Sequence, residues 1–109
     1  MAKFLSVYES NEAQYVNINM EDVSFVDIIS DNSGIQFQLS NGKTVKCALN
    51  LTDSVGVRSV RVYIQSRMME LLSSSPTTIV LTLPTKLPFT LSASEEESGQ
   101  AEFTTVTFA

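Results

Sequence analysis

Apolar and polar residues alternate along Ile35-Gln36-Phe37-Gln38-Leu39 and again along Val45-Lys46-Cys47-Ala48-Leu49, on either side of Asn41-Gly42. Period-two alternation around an Asn-Gly pair predicts a β-hairpin with one buried face. Parity fixes its register. A two-residue loop would set Phe37 opposite Lys46 and put the two apolar sets on opposite faces of the sheet. A three-residue loop, Ser40-Asn41-Gly42, sets Phe37 opposite Val45 and Ile35 opposite Cys47, with Leu39 facing Lys43. The apolar sets then share a face. This is a type I turn followed by a G1 bulge, and it requires φ > 0 at Gly42.

The same reading extends along the chain. Phe4 to Tyr8 reads as a strand and Glu9-Ser10-Asn11-Glu12 as a polar turn. From Tyr15 to Met20 the pattern alternates again, with Val16, Ile18 and Met20 on one side. Glu21-Asp22 interrupts, the β-branched stretch from Val23 to Ser30 reads as a further strand, and Asp31-Asn32-Ser33-Gly34 is a turn. Asp53 or Ser54 is placed to cap a helix over about residues 55–72. There Val57, Val60, Ile64, Met68, Leu71 and Leu72 recur on one face, with Ser59, Ser66 and Glu70 opposite. The valines between Val55 and Ile64 would suit a strand, but their alternation is broken. Pro76 cannot continue the helix.

Beyond it, Thr77 to Leu83 reads as a strand. Pro84 and Pro88 bracket an irregular connection or an edge. Phe89 to Ala93 alternates, residues 95–100 read as an exposed loop, and Glu102 to Phe108 as the last strand. Phe103-Thr104-Thr105-Val106-Thr107-Phe108 suits an exposed sheet edge, whose removal should leave a folded core. The expected fold is therefore α+β: a mainly antiparallel β-sheet with one amphipathic helix (about 55–72) between an N-terminal meander and a C-terminal hairpin. One domain spans 1–109, long enough to bury roughly 65% of the unfolded chain's surface.

Composition narrows the function. Charged residues make up only 17% of the chain and the formal net charge is −5. An acidic surface repels phosphate at long range, which argues against nucleic acid as a partner of the whole surface. A surface rich in neutral Ser, Thr and Asn desolvates cheaply and suits packing against other protein subunits. Cys47 is the single cysteine, so no internal disulfide forms. The segment Met1 to Val7 turns polar too soon for a secretion signal, and no apolar run suits a membrane span. Asn50-Leu51-Thr52 has the form of a glycosylation sequon, here read as chance.

Candidate chemistry is sparse. With no histidine in the chain, Cys47 lacks the usual base of a thiol nucleophile, and its hairpin phase makes it a core residue. Histidine and cysteine clusters that hold metals are absent, and Glu95-Glu96-Glu97 reads as a solvated loop. No phosphate loop and no nucleophile elbow occurs. No catalytic, metal or cofactor-binding residues are therefore assigned, and no enzyme activity is expected. The candidate partner-binding residues are Arg58, Arg61 and Arg67 on the helix, the chain's three arginines, with Phe103, Val106 and Phe108 on the last strand. The arginines suit an acidic protein partner or phosphate; the bland alternative is a solvated helix face.

From Tyr15 to Leu49 the chain runs strand, acidic step, Val/Ile-rich strand, turn, then Ile-x-x-x-Leu-Ser-Asn-Gly-Lys-x-Val. This pattern resembles short proteins of tailed bacteriophages, and is similar to that of small flagellar-operon proteins, from which the long helix and C-terminal hairpin depart. The polar, charge-poor composition also resembles that of small virion proteins. The resemblance implies a non-enzymatic structural protein acting by assembly, a minor capsid or tail-connector component. It would be a homo-oligomer or part of a larger virion assembly, made in the host cytoplasm, with no cofactor and no membrane. The alternative is a small regulatory or adaptor module that binds a protein or nucleic acid through the Arg-bearing helix.

Overall fold

The computed structural model describes residues 3–51, 53–77, 79–90 and 98–108. Strands β1 (Phe4–Glu9) and β2 (Gln14–Asn19) form an antiparallel pair, with Leu5 opposite Ile18 and Val7 opposite Val16. Tyr8 meets Tyr15 edge-on across the pair, ring centroids 5.1 Å apart. A single 3-10 turn, Met20–Asp22, leads into β3 (Val23–Ile28). β3 pairs with β4 (Gly34–Leu39), and β4 with β5 (Thr44–Leu49).

The hairpin register is the one parity requires: Phe37 lies opposite Val45 and Ile35 opposite Cys47. The Leu39 N–H donates to the Lys43 carbonyl at 2.9 Å, and Gly42 has φ +86°. All four apolar side chains of those two pairs are buried.

Helix α1 (Ser54–Leu72) is capped as expected. Asp53 Oδ1 accepts the N–H groups of Val55 and Gly56, both at 3.0 Å. These are donors that the helix cannot satisfy itself. At the other end Lys3 Nζ donates to the carbonyls of Leu71 (3.0 Å) and Ser74 (3.2 Å) and to Ser74 Oγ (2.7 Å). A cation there satisfies orphan carbonyls and opposes the helix dipole. Val57, Val60, Ile64 and Leu71 are buried and Met68 packs at the margin. Leu72, expected on the same face, is 49% exposed, because it sits on the flank of the helix rather than beneath it.

After the helix the chain returns to the sheet. β6 (Val80–Thr82), shorter than the expected strand, runs parallel to β1 beside Phe4 to Ser6. β7 (Leu87–Thr90) and β8 (Ser98–Ala101) then form a separate antiparallel ribbon, so the C-terminal hairpin uses Ser98–Ala101 as its second strand and not the expected Glu102 to Phe108. Ser98 to Gln100 are therefore strand where a loop was expected; Pro88 sits in the partner strand, as a two-stranded ribbon with open edges allows. The expected alternation at Leu91 to Ala93 and the Glu95-Glu96-Glu97 loop lie outside the described residues, as does Thr52 of the sequon.

β9 (Phe103–Phe108) corrects the expectation of a free edge. The main sheet runs β2-β1-β9-β5-β4-β3, so β9 lies inside it. It pairs antiparallel with β5 and meets the end of β1 at Glu9–Phe103. Where β1 and β9 diverge, the Glu9 carboxylate fills the gap. Its Oε2 accepts the Val106 N–H at 2.6 Å and its Oε1 accepts Gln14 Nε2 at 2.9 Å, with the residue only 5% exposed. Glu9 is thus a buried strand residue, not part of a polar turn.

The strand order also requires curvature. β2 and β3 are the two ends of the sheet, yet only Met20–Asp22 separates them in sequence. A flat sheet would hold them about 24 Å apart, five strand spacings. The link from Asn19 to Val23 spans at most about 14 Å. The sheet is therefore rolled, and α1 packs against its strands β3, β4 and β6 and against β7 of the separate ribbon.

Candidate docking groove

Rolling the sheet leaves β3 as an end strand, with α1 alongside it. Between them lies a groove of about 480 Å³. One wall is Met20, Val23, Phe25 and Val26; the other is Gln65, Met68, Met69 and Leu72. Phe25 is 55% exposed and Met69 66% exposed. Large apolar side chains left this open beside one groove mark an interaction surface.

The backbone of β3 adds a second feature. The Ile29 N–H donates to the Gly34 carbonyl, so Ile29, Asp27 and Phe25 direct their amides and carbonyls toward β4. Val26 and Ile28 direct theirs outward. Asp27 Oδ1 accepts the Ile28 N–H at 2.8 Å, which blunts that position. Val26 is left with an outward N–H and C=O that have no partner among the described residues. A bulge between Val23 and Phe25 closes the other side of this short open edge.

The helix ridge bordering the groove continues past Gln65 to Arg61 and Arg58, at helical spacings of four and three residues. Arg67 lies on the opposite flank, where its Nη1 pairs with Glu70 Oε2. The structure therefore joins two of the three arginines and separates the third. Arg61 and Arg67 each bury an Nε with no hydrogen-bond partner among the described residues. Of the strand candidates, Phe103 is buried in the core, Val106 is half-buried, and Phe108 is 59% exposed. Phe103 and Val106 serve the sheet interior, because β9 is an inner strand.

Reactive groups are few. Burial pushes the Cys47 thiol up, with the Glu9 carboxylate adding to the effect, so the thiolate is suppressed. The Ser33 hydroxyl and N–H hold the Asp31 carboxyl below its usual range, as a turn contact does. Among the described residues no group of three or more His, Cys, Asp or Glu side chains could hold a metal ion, and no helix is long and apolar enough to cross a membrane.

Residue-by-residue reading missed this groove. Its trace in the sequence is a second apolar stripe, Val55, Val62 and Met69, spaced by seven residues and lying outside the core face. Comparison with protein-family models, with curated proteins and with solved structures finds no match to this chain.

Proposed function

We propose that this chain is a non-enzymatic structural protein that works by protein–protein assembly through the groove between α1 and β3. One observation carries the reading: an open strand edge at Val26 lies beside exposed Phe25, Met69 and Leu72. Strand edges supply hydrogen bonds to a docking chain, and flanking apolar side chains supply the buried area. The neutral polar character of the remaining surface keeps the cost of desolvation low. The narrower reading, a minor capsid or tail-connector component of a phage virion, draws on the resemblance of the Tyr15 to Leu49 pattern and of the composition.

The test is light scattering on the full chain across a range of concentrations, beside Phe25→Asp and Met69→Asp. Wild-type protein is expected to form species larger than one chain, and both variants to shift toward monomer with unchanged circular dichroism. A wild-type protein that stays monomeric throughout, or variants that assemble as it does, would overturn assembly through this groove.

A further inference from the structure

We propose that the groove's occupant is a second copy of this chain, placed about a two-fold axis beside Val26. The two β3 edges run antiparallel and the two α1 ridges lie side by side. The proposal rests on the assembly reading and gives it a partner and a geometry.

The first argument is the form of the edge. The bulge on one side and the Asp27-capped Ile28 amide on the other restrict outward pairing to Val26. A long open edge would recruit strands without limit. One this short favours a closed contact in which Val26 faces Val26 of the second copy. β2, at the other end of the sheet, exposes Gln14, Tyr15 and Asn17 and lacks such an apolar flank.

The second argument is charge. Lys3 fixes the C-terminal end of α1, and its own carbonyl accepts the Met20 N–H at 2.8 Å. The end of the helix therefore sits where β3 begins, next to the exposed acids Glu21 and Asp22. Running back from Leu72 past Gln65, the farthest helix residue lining the groove, the ridge reaches Arg61 and Arg58 about 6 Å and about 10 Å farther on at 1.5 Å per residue. Each copy thus has an acidic end and a basic end along one groove. Antiparallel pairing sets the acids of each copy against the arginines of the other, twice per dimer. Among the described residues the ion pairs are Arg67–Glu70 and Lys86–Glu102, so Arg58, Arg61, Glu21 and Asp22 are all available. In a chain of net charge −5, local placement of this kind is what lets two copies approach. Between the charged ends, the exposed Met69 of each copy is covered by the other.

A charge-exchange experiment tests the arrangement by sedimentation velocity and native mass spectrometry. One variant carries Arg58→Glu with Arg61→Glu; the other carries Glu21→Lys with Asp22→Lys. Each alone meets like charge at both ends, and its dimer is expected to weaken about tenfold or more. Mixed in equal amounts, they restore opposite charge at both ends and should give a 1:1 heterodimer. That product also demonstrates that both variants fold; should circular dichroism show either unfolded, Arg58→Glu and Glu21→Lys singly form the pair. Variants that dimerise as the wild type does, or folded variants that fail to associate on mixing, would overturn this geometry while leaving assembly itself standing. A monomeric wild type would overturn both.

Discussion

At the residue scale, three positions show how sequence sets local structure. Gly42 has φ +86°, a conformation that a side chain strains. Gly42→Ala should cost about 1 kcal/mol in urea unfolding. Gly34 faces a different constraint: a Cβ there would collide with the Cys47 carbonyl and lie 2.9 Å from Ala48 Cα. Because the obstruction is backbone, Gly34→Ala should cost more, about 3 kcal/mol. Equal costs at the two glycines would contradict the assignment. Cys47 starts from an ordinary thiol value of 9.0, and burial raises it. The folded chain therefore keeps its proton where the unfolded chain loses it. This contribution is whole below pH 9.0 and declines as pH rises above it. Native Cys47 should resist thiol reagents and react at once in denaturant; rapid labelling of the native protein would show that the site is open.

At the scale of elements, α1 depends on both its ends and on one face. Asp53→Ala removes two hydrogen bonds from the first turn and should cost about 1 kcal/mol. Lys3→Met uncaps the last turn and should cost a similar amount, about 1 kcal/mol. Ile64→Ala, in the core, should cost about 3 kcal/mol, whereas Val62→Ala on the exposed stripe should be nearly neutral in a dilute monomer. Thermal melts of the four variants check this ordering. These elements were legible because their signals are local. An Asn-Gly turn with a parity conflict permits one register, and a capping Asp before a 3.6-residue pattern marks one helix start. Leu72 was misplaced because the residue before it, Leu71, already takes the core direction. Ser98 to Gln100 gave no strand signal, since a Ser-Gly-Gln stretch pairs only because β7 is next to it.

For the whole molecule, the decisive features are non-local. Alternation in Phe103 to Phe108 states that one face of β9 is buried, and says nothing of whether its edges are paired. The rolled sheet pairs β9 with β5 and β1, so deleting Glu102 to Ala109 should abolish the cooperative unfolding transition rather than leave a folded core. The groove is equally a product of tertiary placement. Phe25 and Met69 are far apart in sequence, and each alone reads as an ordinary surface apolar residue. The most direct measurement of the central claim is amide hydrogen exchange at Val26 as a function of protein concentration. Protection at Val26 is expected to rise with concentration, while Ile29, bonded to Gly34 within the chain, stays constant. Exchange at Val26 that does not change with concentration would contradict docking through the β3 edge.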